Sequence, residues 1–365
     1  MIIDLKQLHS ALSDEIEAAV MRVLRSGWYI LGTEVAQFEE AFAAYHGVKH
    51  AIAVANGTDA IELAMLAHNI GAGHEVITVA HTAMPTVTAI EQVGATPVLV
   101  DILPDTYLID PDAIEAAITP KTRAIIPVHL YGHPVQIDRI KAIADEHNLL
   151  LLEDCAQAHG ATFDGQKIGT FGDIASFSFY PTKNLGTYGD AGAIITDDDA
   201  IATRLRQLRN YGQDRRYHNV ERGVNSRMDD IQAAILRVKL QYLDDHNNIR
   251  RSLAQKYNEA LQHVVLPIEQ ANAHHVYHLY VVRTPRRDAL RDFLAERGIQ
   301  TGIHYPIPIH RQPSQTDLGY SAGSLPITEQ SAEKIVSLPM HVHLTADEQQ
   351  HVIDSINAFG ELQHD

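Results

Sequence analysis

Between residues 50 and 196 the chain repeats one pattern: a short apolar run, a turn of small or polar residues, then a helical stretch. Apolar runs at 50–55, 75–80, 96–101, 123–129, 149–152, 174–180 and 192–196 read as strands. Helical spacing follows at 60–68, 111–118, 137–147 and 200–210, and the stretch 81–86 opens a further helix. A strand that returns through a helix can lie parallel to its predecessor. The alternation therefore predicts an α/β fold, with a mostly parallel sheet and helices on both faces. Ahead of it, helices at 11–25 and 33–45 flank an aromatic loop at 28–32. Behind it, one long helix runs from 229 to about 261, a length that commonly links two domains. The remainder reads as a small α/β unit with mixed pairing: strands at 276–283 and 299–304, helices at 286–297 and 345–358. A chain of 365 residues exceeds the usual single-domain size. The expected division is a large domain over 1–245 and a smaller one over 246–365.

Charge and cysteine content narrow the function classes. The formal net charge of −17 argues against nucleic-acid binding through a general basic surface, and against an anionic membrane surface. No apolar run approaches the ~20 residues of a membrane span. The single cysteine, Cys155, allows no internal disulfide and fits a reducing compartment. The N-terminal stretch from Met1 to Lys6 lacks a signal-peptide layout, so a soluble cytoplasmic protein is the expectation.

Candidate chemistry sits at strand ends, where open α/β sheets keep their sites. The run from Ser176 to Tyr180 delivers Pro181-Thr182-Lys183, followed by glycines at 186, 189 and 192. A lysine beside buried apolar chain acts as a nucleophile toward carbonyl carbon when its pKa is lowered. Alternatively, the stretch is a solvated turn. Asp154 ends a four-leucine strand, where a carboxylate is costly unless paired. A buried ligand cation would satisfy it, as would a role in capping the next turn. Strand, Gly57-Thr58, helix start is an arrangement that offers free N–H groups to a phosphate; an ordinary helix cap by Asn56 or Thr58 reads equally well. The stretch 211–218 is a basic, aromatic loop in an acidic protein and suggests an anion site or a salt-bridged turn. Cys155 lacks a nucleophile signature and reads as a small buried residue. Of the 22 histidines, the groups 274/275/278 and 341/343 lack carboxylate or cysteine at metal-ligand spacing, so no metal is expected. A phosphate cradle, a buried carboxylate, Ser178 and a lysine able to form a Schiff base together meet the needs of pyridoxal phosphate.

With those residues in place, the sequence resembles the sugar aminotransferases of the DegT/DnrJ/EryC1/StrS family, fold-type I pyridoxal-phosphate enzymes. The resemblance runs from Tyr29 to Met340. It rests on Ala55-Asn56-Gly57-Thr58-Asp59-Ala60, Glu153-Asp154-Cys155-Ala156-Gln157, the stretch 176–192 and Gly223-Val224-Asn225-Ser226-Arg227-Met228-Asp229. It implies a seven-stranded, mostly parallel sheet in the large domain, and a homodimer with shared active sites. It implies that Lys183 takes the cofactor's aldehyde and moves the proton, that Asp154 holds the ring nitrogen protonated, and that Gln157 lies near the 3′-oxygen. Gly57, Thr58 and Ser178 would take the phosphate, with Asn225 and Arg227 reaching it from the other subunit. Gln213, Arg215, Tyr217, His304 and Tyr305 match places where relatives contact a nucleotide-sugar. Two positions depart from the family pattern. Ala83 stands where an aromatic ring usually stacks on the cofactor, with His81 a candidate substitute, and Cys155 replaces a common alanine.

The implied reaction moves an amino group from glutamate to a keto carbon of a nucleotide-linked sugar, in amino-sugar biosynthesis such as that for lipopolysaccharide or O-antigen. The forms at 225–227, 211–213 and 304–306 resemble members that aminate C3, so a dTDP-linked 3-keto-6-deoxyhexose is expected. A UDP-linked sugar or C4 amination is the alternative. Relatives that act as dehydratases replace the lysine with histidine; Lys183 favours transamination. A non-enzymatic cofactor-binding regulator is the alternative of a different class.

Overall fold

The computed structural model of the chain describes residues 4–362, so the first three residues of the stretch read for a leader lie outside it. Helices α1 (Leu5–Ser10), α2 (Ser13–Ser26) and α3 (Thr33–His46) come first. The alternating region follows as β1 (His50–Val54), α4 (Gly57–Ala67), β2 (Glu75–Val79), α5 (Met84–Gln92), β3 (Thr96–Val100), α6 (Pro111–Ala116), β4 (Thr122–Ile126), α7 (Ile137–His147) and β5 (Leu150–Asp154). A small hairpin of β6 (Thr162–Phe163) and β7 (Gln166–Lys167) precedes β8 (Ile174–Ser178) and β9 (Gly192–Thr196). Next come α8 (Asp199–Leu208), the hairpin β10 (Gln213–Arg215) and β11 (His218–Asn219), α9 (Asp230–Leu240) and α10 (Leu243–Ala260). The C-terminal part holds β12 (Ala273–His274), β13 (Tyr280–Arg283), α11 (Arg287–Glu296), α12 (Pro326–Lys334), β14 (Ile335–Leu338) and α13 (Ala346–Glu361). None of the described helices is long and apolar enough to cross a membrane.

The seven-stranded sheet has the order β1-β9-β8-β5-β4-β2-β3. All its pairs are parallel except those of β9, which runs antiparallel to both β1 and β8. Its strands are apolar on both faces because both faces are covered. Ile77, Ile125, Leu151, Ala175 and Phe177 enter one buried cluster, while Val76, Ala124, Ile126, Leu152 and Ile174 enter the other. Neighbours in sequence thus go to opposite faces, as strand geometry requires. A separate apolar cluster between Ala254 and Phe359 is the core of the C-terminal part.

Three expectations are corrected. The helix over 229–261 is two helices, broken at Gln241 and Tyr242, where the Tyr242 hydroxyl bonds Glu15 Oε1 at 2.6 Å. The break lets α9 pack on α2 and α3 while α10 continues to α13. The stretch 299–304 forms no strand, and only Gly302 bridges Ser337. Its last residue, His304, engages side chains instead: the carbonyl accepts from the Tyr131 hydroxyl, and Nδ1 lies 2.8 Å from Ser337 Oγ. Pairing between β13 and β14 is antiparallel, not mixed.

Helix α3 has no local cap, since Gly32 precedes it. The cap arrives from 198 positions away. Asp230, buried at the start of α9, accepts from Gly32 N (2.8 Å), Glu34 N (3.1 Å) and Val35 N (3.4 Å). A carboxylate there also meets the positive end of the helix dipole. Asp230→Ala should lower the free energy of unfolding by about 3 kcal/mol, because three amides lose their acceptor. A denaturant midpoint unchanged from wild type would contradict the assignment.

Candidate active site

The strand alternation that builds the sheet also aims the site residues. Phe177 and Phe179 turn to the face held by α3, where Phe42 stacks edge-on against Phe177 at 5.0 Å and Phe38 against Phe179 at 5.4 Å. Ser178 between them must point the other way, toward the start of α4. There the backbone comes so close that a Cβ on Gly57 would sit 2.6 Å from Ser178 Cβ. Glycine is required by this approach. Asn56 Oδ1 caps α4 by accepting from Asp59 N at 2.9 Å. The first turn of the helix beyond it faces a cavity of about 540 Å³.

That cavity is lined by Gly57, Thr58, Asp154, Gln157, Ser178 and Lys183 from the sequence-derived set, and by Ala83. A second cavity of about 420 Å³ adjoins it, sharing Tyr180 and Lys183 and lined also by Thr182, His278, Gln300, His304 and Tyr305. Lys183 stands between the two. Burial pushes its amine down to about 8, against the opposing pull of Asp154. Among the described residues its Nζ has no hydrogen-bond partner. Asp154 is buried; Oδ1 accepts from Ala156 N at 3.1 Å and Oδ2 from Thr86 Oγ1 at 2.9 Å. Burial raises its pKa, and these bonds together with Lys183 oppose the rise. Burial, with Lys183 close by, holds the imidazoles of His278 and His304 below the usual histidine range. They therefore act as neutral hydrogen-bonding groups at neutral pH.

The other sequence-derived residues lie elsewhere on this chain. Gln213, Arg215 and Tyr217 sit on the β10–β11 hairpin and line neither cavity. Asp214 there lies 2.6 Å from His218 Nδ1 and 3.7 Å from Arg215 Nη1, while Tyr217 is 82% exposed. Asn225 bridges Asn210, whose side-chain oxygen accepts from Arg227 Nη1 at 2.9 Å. These two also line neither cavity. His81 is no substitute for the missing aromatic ring. It is buried, with Nε2 2.8 Å from the Tyr131 hydroxyl, and it is absent from the cavity wall. Ala83 does line the cavity, which leaves that side open.

Sequence reasoning missed Thr86, the partner of Asp154, although it lies in the 81–86 stretch noted as a helix start. It also missed His278 in the second cavity, set aside with the histidine groups. The carboxylate beside Asp154 was missed as well. Glu153 is fully buried and accepts from His129 Nε2 (3.0 Å), Gly169 N (2.7 Å), Phe171 N (2.9 Å) and Gly172 N (2.8 Å). Burial pushes this carboxyl up, but those donors outweigh it and hold it below the usual range. His129, Glu153 and Cys155 approach one another closely enough for a metal, yet the Glu153 oxygens and His129 Nδ1 are already engaged in hydrogen bonds.

The residues fit pyridoxal phosphate. An unpartnered desolvated amine, a buried carboxylate without a cation bonded to it, and a helix start closed by glycine against Ser178 are the donors and acceptors that the aldehyde, ring nitrogen and phosphate call for. The comparisons with known proteins agree. Residues 10–357 match the model of the DegT/DnrJ/EryC1/StrS aminotransferase family. The dTDP-3-amino-3,6-dideoxy-alpha-D-galactopyranose transaminase of Aneurinibacillus thermoaerophilus is 48% identical, over 98% of this chain and 99% of that one. The crystal structure of Streptomyces venezuelae DesV superposes with a TM-score of 0.97 at 45% identity, covering 99% of this chain and 98% of that one. The PLP-form of the putative sugar aminotransferase Spr1654 from Streptococcus pneumoniae superposes at 0.91 and 26% identity, over 96% of each chain. The chain belongs to the DegT/DnrJ/EryC1/StrS aminotransferase family and is a sugar aminotransferase that works with pyridoxal 5′-phosphate.

Proposed function

We propose that this enzyme transfers the amino group of glutamate to C3 of a dTDP-linked 3-keto-6-deoxyhexose, in a reducing, cytoplasmic setting. The observation that carries the reading is the position of Lys183 between two cavities of different character. The first offers a phosphate-type cradle and a buried carboxylate. The second is lined by neutral hydrogen-bonding groups suited to the hydroxyls of a sugar ring. Choice of C3 and of dTDP is supported by the product named for the Aneurinibacillus relative.

The chain's residues would divide the work as follows. Lys183 would hold the cofactor at rest, and its Nζ would take the proton from the substrate carbon in one half-reaction and return a proton to the sugar carbon in the other. Asp154 faces the ring nitrogen and keeps it protonated. Gln157 lies near the 3′-oxygen, while the first-turn amides at Gly57 and Thr58 and the Ser178 hydroxyl take the phosphate. Bound there, the cofactor supplies an electron sink for the carbon that loses its proton. His304 and Tyr305 bind the sugar. A lowered lysine pKa suits the proton-moving role, since transfer is most efficient near the working pH.

Charge supports a homodimer with shared sites. Asp59 and Asp190 also line the first cavity, and Lys183 is the only lysine or arginine among its lining residues. A phosphate dianion sharing the cavity with those carboxylates would be favoured by a further cation. Arg227 and Asn225, which line neither cavity of their own chain, would supply the far side of a second copy's site, with Gln213, Arg215 and Tyr217 reaching its nucleotide. Residues 1–245 would then act as the cofactor-binding domain and 246–365 as the smaller domain.

Incubation of holoenzyme with glutamate and a panel of dTDP- and UDP-linked keto sugars should place a new amine on C3 of a dTDP-sugar, located by NMR. Amination at C4, or of UDP-sugars alone, would redirect the assignment. Lys183→Ala should bind cofactor without covalent capture and lose at least about a thousandfold in turnover of glutamate. Near wild-type turnover would remove Lys183 from the chemistry. Capture of free pyridoxal phosphate by the apo-protein uses the neutral amine, so its rate should climb about tenfold per pH unit up to about 8 and flatten above. A plateau deferred to about 10, the ordinary lysine value, would show that the amine is not desolvated.

A further inference from the structure

The segment Leu130-Tyr131-Gly132 forms a short helical turn directly after the apolar run 123–129. Tyr131 is 3% exposed and has a left-handed backbone, with φ 61° and ψ 3°. L side chains rarely adopt that conformation, and a buried, bulky residue in it needs surroundings that enforce it. Gly132 follows with φ 94°, where a Cβ would come within 2.9 Å of Val276 Cγ2, 3.0 Å of His278 N and 3.1 Å of Gln157 O. Two consecutive left-handed residues thus press the backbone between Gln157 and the segment 276–279.

Every polar group of Tyr131 is used in this position. Its amide donates to Gln157 Oε1 at 2.7 Å, and its carbonyl accepts from Leu279 N at 3.3 Å. Its hydroxyl donates to the His304 carbonyl and lies 2.8 Å from His81 Nε2. The direction of these bonds follows from one fact: a carbonyl only accepts. The Tyr131 proton therefore goes to His304, so His81 must donate through Nε2–H, which leaves His81 Nδ1 without a partner. The Gln157 amide is fixed in the same way. Its oxygen is taken by Tyr131 N, so its nitrogen is the donor to the Tyr305 hydroxyl at 3.0 Å. Tyr305 accepts that bond, so its own proton is left to donate elsewhere, and Tyr305 is among the residues that line the second cavity.

We propose that Tyr131 is a positioning residue: by holding Gln157 with its amide and His304 with its hydroxyl, it aims the Tyr305 hydroxyl proton into the sugar-binding cavity beside Lys183. Its action on the sugar rests on the functional reading above. A tyrosine that donates at a fixed angle selects for an oxygen acceptor on the bound sugar. Loss of the Tyr131 hydroxyl frees the His304–Tyr305 segment and weakens that selection without touching the phosphate cradle.

The test uses borohydride-reduced holoenzyme, which binds ligands without turnover, with calorimetry as the readout. Two probes are compared: dTDP-3-amino-3,6-dideoxy-galactose and dTDP alone. Tyr131→Phe should raise the Kd of the amino sugar about tenfold. It should leave the Kd of dTDP and the cofactor absorbance within about twofold of wild type. Tyr305→Phe should have the same effect, and the double variant should be no worse than Tyr305→Phe alone, because the two residues act in series. A Tyr131→Phe protein that binds the amino sugar as wild type does, or whose loss adds in full to that of Tyr305→Phe, overturns the proposal. A variant that weakens both probes equally also overturns it, since that is the mark of general structural damage. Should Tyr131→Phe not yield holoenzyme, His81→Leu carries the test. It removes the imidazole that donates to the Tyr131 hydroxyl and holds it against the His304 carbonyl, and should raise the amino-sugar Kd about threefold; an unchanged Kd sinks the proposal. Failure of wild-type protein to bind the amino sugar would instead bring down the functional reading and the proposal together.

Discussion

The site depends on two opposite charges taken out of water and left without a direct bond between them. Asp154 is buried at a strand end with only a backbone amide and the Thr86 hydroxyl as partners. Lys183 is desolvated and without a hydrogen-bond partner among the described residues. Either group alone would be costly at such a place. Together they partly neutralise each other and form a cavity whose unmet valences match a protonated ring nitrogen and an aldehyde. Binding of a group with those two features would relieve an electrostatic mismatch that folding leaves in place.

The sheet makes that mismatch possible. Its aromatic side is closed by Phe38, Phe42, Phe177 and Phe179, which lock β8 and the residues after it against α3. With Phe177 and Phe179 committed to that face, Ser178 has no choice of direction. The same alternation brings β1 and β5 to deliver Gly57 and Asp154 to one end of the sheet. Apolar packing in one layer thus sets the polar geometry of the next. Asp230 works at longer range in the same sense, since α3 can brace β8 only if its uncapped start is satisfied from α9.

Behind the cavity wall lies a second, less visible layer. Glu153 gathers the loop 169–172 and His129 behind Asp154. Tyr131 joins Gln157, Leu279 and His304, residues drawn from widely separated parts of the chain. Neither group was a catalytic candidate by residue type. Both are largely buried polar networks with most of their donors and acceptors used, the condition under which such networks confer rigidity.

The sequence by itself determined the α/β class, the helical cover on both faces and the strand ends that carry Gly57, Thr58, Asp154, Gln157, Ser178 and Lys183. These follow from local periodicity, which a strand of period two and a helix of period 3.6 write directly into the order of apolar residues. The tertiary structure decided the rest. It inserted β9 antiparallel between β1 and β8, broke the long helix at Gln241 and Tyr242, and kept the stretch 299–304 out of strand pairing. It moved His81 behind the cavity wall, placed Thr86 on a carboxylate 68 positions away, and left Asn225, Arg227 and the 213–217 hairpin outside both cavities of their own chain. The physical reason is range. Periodicity reports which face of an element is apolar, whereas hydrogen-bond partners, chain reversals and cavity walls are set by groups far apart in sequence whose approach only the packed fold defines.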